Sequence, residues 1–388
     1  MDYGDHYRAI YLKGLAGEKP ELPVAWADLE AAAEEAMPEA SADYVYATAG
    51  TGETYRENRE AFERFRIVPR MLRDVAERDL TTEILGQTLP APVLLAPVGV
   101  QTLVHPDGER ATARAAATLG LPMVISTASD TSMEDIAEAS GEGPRWYQFY
   151  WPADQGIARS LVDRAEASGC SAIVVTADNY IPGWKPRDLQ RAELPFIKGV
   201  GVAQFFTDPV FLSALEKTPE EDLGAAVGHY LGVYVNPSLT WNDLERLRSW
   251  TSLPILVKGI LHPDDAAEAR ERGVDGIVVS NHGGRQVDGA IASIDALGPI
   301  ADEVGSDLAI LLDSGVRSGS DAFRALALGA DAVLLGRPWL WGLALAGEAG
   351  VEEVLRRFLA ELDLTMALTG YTRPSELGPE ALHRHPLG

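Results

Sequence analysis

Gly276-Ile277-Val278-Val279-Ser280-Asn281-His282-Gly283-Gly284-Arg285-Gln286 is the stretch on which the reading of this chain turns. Its first half is a short run of β-branched residues, and it breaks off into polar side chains and two glycines. That is the pattern of a strand buried on both faces whose far end opens into a loop able to carry chemistry. Working outward, the same motif recurs from about residue 90 onward: short Val/Ile/Leu runs alternate with Ala/Glu/Arg stretches of helical period. The runs fall at 93–97, 123–126, 146–150, 172–177, 255–258, 276–280, 309–313 and 332–335. Eight of them, most followed by a helix opened by Asp, Ser or Pro, predict an α/β fold, a closed parallel (β/α)8 TIM barrel ringed by helices. A doubly wound open sheet is the competing fold. It would want a glycine-rich dinucleotide turn after its first strand, and Ala96-Pro97-Val98-Gly99-Val100 is not one.

Residues 1–90 read as an N-terminal helical extension packing on the barrel, with a helix over 26–36 and an extended approach through Pro69, and 91–388 as the barrel itself. Strand spacing is regular except between the fourth and fifth runs. The segment 179–253 is far longer than one crossover helix needs and contains Pro182, Gly183, Trp184, Pro186, Pro195, Gly199 and Gly201. An insertion of this size in a compact domain is expected to act as a lid, with irregular parts, over the mouth of the site.

Composition narrows the function classes. With 388 residues, 46% apolar and 23% charged, the chain can bury a large core. A net charge of −25 argues against nucleic acid or an anionic membrane as partner, because a polyanion binder needs a basic face. The most weakly charged stretch, 80–108, is broken by Pro90, Pro92, Pro97 and Pro106 and carries Glu83, so no transmembrane helix is expected. The first ten residues lack the basic start and apolar core of a secretory signal, which predicts a cytoplasmic protein. Only six of the 33 basic residues are lysine, and an acidic, lysine-poor surface suits a salt-rich cytoplasm. Cys170 is the single cysteine, without a partner for a disulfide or CxxC site, and reads as a small buried apolar residue.

In such a barrel the chemistry sits where strands end. Those edges carry Pro97 and Val98, Ser126, Gln148 with Tyr150, Thr176 with Asp178, Lys258, Ser280 with His282 and Arg285, Asp313 to Arg317, and Gly336 with Arg337. His282 can take a proton near neutrality and Arg285 can grip a carboxylate through two parallel hydrogen bonds, so the pair implies a small organic acid. His105 and His262 each precede proline and an acidic helix start and read as turn or helix-start residues, and no HExxH or similar metal spacing is present. Asp313-Ser314-Gly315-Val316-Arg317 and Gly336-Arg337 follow the last two strands, where barrels hold phosphate, and imply a phosphate-bearing cofactor. There is no GxxxxGK[ST], so a nucleoside triphosphate is not expected. Lys258, inside an apolar run, is either a Schiff-base nucleophile or a fixed cation beside a ring that becomes negative. With hydroxyl and amide groups on the neighbouring strand ends, a flavin suits the set better than an aldol reaction.

These residues resemble the FMN-dependent 2-hydroxy-acid oxidases and dehydrogenases, over nearly the whole chain. The resemblance is carried by SNHGGRQ at 280–286, LVKGI at 256–260, LALGADAVLLGRP at 326–338, YQFY at 147–150, and Tyr44 followed by REN at 56–58. Within that family, IPGWKPRDL (181–189), TDPVF (207–211) and RPWLWG (337–342) look most like lactate monooxygenases. The resemblance implies FMN as cofactor and His282 as base, with Asp178 stabilising its imidazolium. It implies Arg285 and Tyr44 on the substrate carboxylate, Tyr150 on the hydroxyl side, and Lys258 beside the reduced flavin. Gln148, Thr176, Ser126, Ser280 and the Pro97-Val98 backbone would hold the ring, and Asp313, Ser314, Gly315, Arg317, Gly336 and Arg337 the ribityl and phosphate. A homo-oligomer, tetramer or octamer, follows from the same resemblance.

Four residues depart from the family pattern. Lys185 stands where many members place a second substrate arginine, with Arg187 two residues on; Ala128 stands in place of a glycolate-oxidase tryptophan; Ser314 replaces a phosphate-loop glycine; and Thr48 replaces a glycine near Tyr44. The expected activity is oxidation of a short (S)-2-hydroxy acid, L-lactate, with O2 as acceptor, giving acetate, CO2 and water if pyruvate is retained. Pyruvate and H2O2 result if it escapes. A quinone-linked lactate dehydrogenase is a third outcome of the same chemistry, and a flavin-binding barrel without catalysis belongs to another class.

Overall fold

The computed structural model describes residues 3–385, so the outermost ends of the 1–90 and 91–388 segments lie outside the described residues. Four helices come first, α1 (Asp5–Leu15), α2 (Trp26–Ala36), α3 (Glu39–Tyr46) and α4 (Glu53–Glu60). They are followed by strand β1 (Phe65–Ile67) and a hairpin, β2 (Thr82–Ile84) and β3 (Gln87–Leu89).

The barrel strands are β4 (Val93–Leu95), β5 (Met123–Ile125), β6 (Arg145–Phe149), β7 (Ile173–Thr176), β8 (Ile255–Ile260), β9 (Gly276–Val279), β10 (Ala309–Leu312) and β11 (Ala332–Leu335). All eight pair in parallel with their sequence neighbours, and β11 returns to β4 with Leu335 opposite Leu95, closing the barrel. Each of the eight expected runs is a strand. Between them lie α5 (Gly108–Leu119), α6 (Met133–Ser140) and α7 (Gln155–Ala167), then the insertion helices α8 (Pro186–Arg191), α9 (Ala203–Phe206), α10 (Pro209–Ser213), α11 (Leu223–Val233) and α12 (Asp243–Arg248). The remainder are α13 (Pro263–Glu271), α14 (Ser293–Val304), α15 (Gly319–Ala327) and α16 (Arg337–Thr369). The insertion is thus more helical than its proline and glycine content implied, although 178–185 is irregular.

Alternate residues of each strand face opposite sides, which is why the runs are apolar throughout. Leu94, Val124, Trp146, Val174, Leu256, Val278, Leu311 and Leu334 form one buried cluster, the filled interior of the barrel. Ile84 and Leu89 of the hairpin join it, and Gln87 hydrogen-bonds Ser171 just ahead of β7, so the hairpin stoppers the N-terminal end. The reading of residues 1–90 as helices with an extended approach through Pro69 did not include this hairpin. Its two strands have three residues each, too short to show a period. The opposite end of the barrel is left open to the loops.

Helix starts follow the expected chemistry. Asp154, Asp208 and Ser132 cap α7, α10 and α6, and Ser318 with Asp321 forms a capping box on α15. His262 accepts from the Asp264 N–H at the start of α13, the helix-start role expected for it. Cys170 is buried, and burial pushes its thiol up to about 12.

Candidate active site

The C-terminal ends of the strands enclose a cavity of about 210 Å³. Of the residues singled out from the sequence, Tyr44, Pro97, Val98, Ser126, Gln148, Tyr150, Thr176, Lys185, Lys258, His282, Arg285, Asp313, Ser314, Gly315, Arg317, Gly336 and Arg337 line it. Asp178 and Ser280 do not reach the lining. Each stands one hydrogen bond behind it, Asp178 on His282 and Ser280 under Lys258.

His282 opens the turn after β9 with φ of +59°, a left-handed conformation that costs a non-glycine residue about 1 kcal/mol or more. Two serines brace it: Ser280 Oγ accepts the His282 N–H at 3.0 Å, and Ser314 Oγ accepts the Gly283 N–H at 2.9 Å. Asp178 accepts from Nδ1 at 2.8 Å, which fixes the tautomer and leaves the Nε2 lone pair facing the cavity, 3.3 Å from the Tyr150 hydroxyl. Burial holds the His282 imidazole below its ordinary range, outweighing the pull of Asp178. Burial alone would raise the Asp178 carboxyl, but the charges of His282 and Lys258 hold it below the usual carboxylate range. The result is a neutral imidazole next to an ionised carboxylate, the arrangement of a general base with its orienting group.

Lys258 is buried and donates to Ser280 Oγ at 2.8 Å while pairing with Asp313 at 3.2 Å. Burial pulls its amine down, but Asp313 and Asp178 more than offset this and hold it above the ordinary lysine value. It is therefore an ammonium ion. Of the two readings left open for it, the fixed cation fits and the Schiff-base nucleophile, which needs a neutral amine, does not. Beside it Ser126, Gln148 and Thr176 form a row across β5, β6 and β7: Gln148 Nε2 donates to Thr176 Oγ1 at 3.0 Å and its Oε1 accepts from Ser126 Oγ at 3.3 Å. The Val98 carbonyl is already taken by Gln101 Nε2 at 3.0 Å, so its other backbone atoms are what it can offer a ring.

Arg285 differs from the expected open fork. Its Nη1 donates to the Tyr44 and Ala47 carbonyls at 3.0 and 2.9 Å, and the guanidinium lies 5.4 Å from the Tyr44 ring centre. The arginine caps the carbonyl end of α3, and this is what carries Tyr44 into the site. Its Nε and Nη2 atoms take no part in these contacts. Lys185 begins α8 on the insertion; burial and the nearby Arg285 charge lower its amine to about 8, against the opposing pull of Asp188. Ala128 also lines the cavity, whereas Thr48 does not and instead abuts Gly52.

A scan against protein families matches residues 33–384 to the FMN-dependent dehydrogenase model. The chain belongs to that family. It is 45% identical over 97% of its length to an FMN-dependent alpha-hydroxy acid dehydrogenase of Schizosaccharomyces pombe, covering 95% of that protein. It is 44% identical over 94% to an L-lactate oxidase of Lysinibacillus sphaericus, covering 93% of it. Among solved structures, mandelate oxidase superposes with a TM-score of 0.82 at 39% identity, over 93% of this chain and 98% of the other. As a member of the FMN-dependent dehydrogenase family, the protein is an FMN-dependent oxidoreductase of 2-hydroxy acids.

The residues present fit FMN. Arg317 and Arg337 sit side by side at the β10 and β11 ends, and among the described residues neither makes an ion pair with a carboxylate. Arg337 Nη2 is buried with no hydrogen-bond partner, and desolvation together with the Arg317 charge lowers its guanidinium to about 10. Two crowded cations with an orphaned donor call for an anion such as the FMN phosphate. Next to them Gly336 faces open space where a side chain would point.

The insertion was expected over the mouth, with Lys185 as its one named site residue; sequence reasoning missed that Asn179, Asp188, Leu194, Phe196 and Tyr234 line the cavity as well. Phe196 and Tyr234 pack at 5.9 Å within an aromatic cluster completed by Tyr230. The signal was present in the aromatic content of 196–234, but that pattern is shared by any small core. Among the described residues, no helix is long and apolar enough to cross a membrane.

Proposed function

We propose that the enzyme oxidises L-lactate with O2 as electron acceptor and holds pyruvate until it is decarboxylated, the net reaction being lactate + O2 to acetate + CO2 + H2O. The observation that carries this reading is His282, with Nδ1 on Asp178 and Nε2 facing a cavity that the cations Arg285 and Lys185 also line. A 2-hydroxy acid needs that pairing: a base at the hydroxyl-bearing carbon and positive charge at the carboxylate a bond away.

FMN supplies the acceptor for the two electrons. The chain's own residues do the rest. Arg285 and Lys185 bind the carboxylate, with the Tyr44 ring beneath Arg285 keeping its guanidinium in plane. Tyr150, whose hydroxyl burial keeps protonated, orients the substrate hydroxyl beside Nε2. His282 takes a proton at Nε2 as lactate becomes pyruvate, and Asp178 stabilises the resulting imidazolium. Lys258 would offer positive charge beside the cofactor ring, and Ser126, Gln148, Thr176, Ser280 and the Pro97-Val98 backbone would hold that ring. Asp313, Ser314, Gly315 and Gly336 would hold the ribityl chain, and Arg317 and Arg337 the phosphate. Ala128 in the wall leaves room for a methyl group or a somewhat larger substituent.

Phe196, Tyr234 and Leu194 of the insertion support retention, because they wall the cavity and exclude water while pyruvate meets H2O2. The second reading, an oxidase that releases pyruvate and H2O2, is favoured by the kinship with an L-lactate oxidase. Lactate-fed oxygen uptake with acetate and H2O2 assayed together tests the proposal. Acetate matching the oxygen consumed is expected; equimolar H2O2 without acetate would assign the oxidase, and neither product would reject O2 as acceptor.

A further inference from the structure

Gln286 ends the stretch with which the sequence reading began, and the chemistry above makes no use of it. Its side-chain amide is fully engaged. Nε2 donates to the Asp178 carbonyl at 2.5 Å and to Asn179 Oδ1 at 2.9 Å, with the Ile181 carbonyl at 3.3 Å, and Oε1 accepts the Gly183 N–H at 3.2 Å. All four partners lie in 178–183, where the insertion leaves β7. Gln286 itself follows β9, and β8 separates the two strands in the barrel. The amide thus bridges two loops that the barrel does not place side by side.

A second observation locates the same seam independently of the Gln286 side chain. Gly183 lies so close to the neighbouring turn that a Cβ there would stand 2.5 Å from the Arg285 carbonyl oxygen and 2.7 Å from that of Gln286. From the other side, the Gly50 N–H donates to the Trp184 carbonyl and the Ala49 N–H to the Gly284 carbonyl, both at 2.9 Å. The next residue along the insertion is Lys185, which lines the cavity. Five hydrogen bonds, four of them from Gln286, and a side-chain-free contact therefore stand between Lys185 and free movement of the segment that carries it.

We propose that Gln286 is a positioning residue that fastens the start of the insertion to the His282 turn, fixing Lys185 in the cavity wall near Arg285 and so setting how long a bound carboxylate stays in the cavity. The proposal rests on Arg285 and Lys185 being the carboxylate site. Loosening the seam lets Lys185 swing away, and an anion leaves through the gap. The effect falls on the dissociation rate, because the open form already admits the ligand.

Two variants of the FMN-loaded enzyme test it. Q286M keeps the length and loses every hydrogen bond. Q286E keeps an acceptor for the Gly183 N–H but turns a carboxylate toward three oxygen atoms. The first measurement is hydrogen exchange of the 178–191 segment, and the second is the dissociation rate of pyruvate followed by flavin absorbance. Exchange and dissociation are both expected to quicken by about tenfold in Q286M. In Q286E both should quicken further at neutral pH and recover toward Q286M as acid protonates the new carboxyl and gives it one O–H donor, a pH response that a merely space-filling role would not produce. Unchanged exchange in both variants overturns the fastening. Faster exchange with an unchanged pyruvate dissociation rate overturns the link to retention. Failure of the wild-type enzyme to bind pyruvate at all refutes the carboxylate site instead, while the exchange result still decides the fastening.

Discussion

Asp178 lies directly against Gly259. A Cβ on residue 259 would stand 2.7 Å from the Asp178 Cβ and 2.8 Å from its Cγ. Gly259 has φ of +111°, and there β8 slips its register against β9 between Lys258 and Ile260. The irregularity is what lets one strand end present Lys258 to the cavity and still leave room for the carboxylate that orients His282.

Replacing Gly259 by alanine should accordingly do two things. The backbone angle and the collision together should cost about 2–4 kcal/mol of stability, read as a lowered midpoint of thermal unfolding. Displacement of Asp178 should slow substrate oxidation by about a hundredfold while FMN remains bound, read by stopped-flow absorbance. A variant as stable and as fast as wild type contradicts the contact.

The His282–Asp178 pair carries a pH prediction. Because burial holds the imidazole below its ordinary value, the base form is kept as pH falls through the usual histidine range, and the rate of flavin reduction should decline only below it. Asp178 opposes that shift, so D178N should move the decline to still lower pH. The same variant should lower the plateau by about a hundredfold, since the imidazolium loses its counter-charge. A decline moved upward in D178N would show that Asp178 does not face the base.

Lys185 titrates in the opposite sense for binding. Its amine, lowered to about 8, is charged below that pH and neutral above it. The dissociation constant of a carboxylate ligand should therefore rise above pH 8, by up to about tenfold per unit, with proton uptake on binding in that window. K185R, charged throughout, should flatten that limb. Arg285 and Asp188 both act on this amine, so the inflection should move up in R285M, which removes a like charge, and down in D188N.

Ser314 has φ of +73°, and its Oγ accepts from Gly283 while donating to Asp313 Oδ1 at 2.8 Å. Two substitutions separate backbone from hydroxyl. S314A keeps the strained angle and loses the hydrogen bonds, so it should be less stable and slower than wild type. S314G also loses them but relieves the angle, and should be more stable than S314A by about 1 kcal/mol while being no faster. Equal rates in S314A and wild type would remove the serine from the bracing of the His282 turn.

The barrel was legible because a strand buried on both faces writes itself as an apolar run, and each run ends where its polar residue begins. Lys258 and Gln148 stood out as polar residues near such ends, and Asp178 and His282 as polar residues just beyond them. What could not be read was contact across the chain. Nothing local tells that Arg285 caps α3, that Gln286 holds 178–183, or that the hairpin at 82–89 stoppers the barrel, since each depends on segments far apart in sequence. The insertion was visible as a spacing anomaly, but all of its helices except α11 are too short for periodicity, and its wall residues Phe196 and Tyr234 look like ordinary core. The left-handed φ of Ser314 is a backbone fact that the residue type alone disguises.

The most direct test of the account is anaerobic mixing of the FMN-loaded protein with L-lactate, comparing wild type with H282A. Wild type should lose its yellow absorbance with one lactate per flavin, and H282A should keep its FMN but lose that absorbance about a thousandfold more slowly. Bleaching of H282A at the wild-type rate, or a wild-type flavin untouched by lactate, glycolate, 2-hydroxybutyrate and mandelate alike, would contradict it.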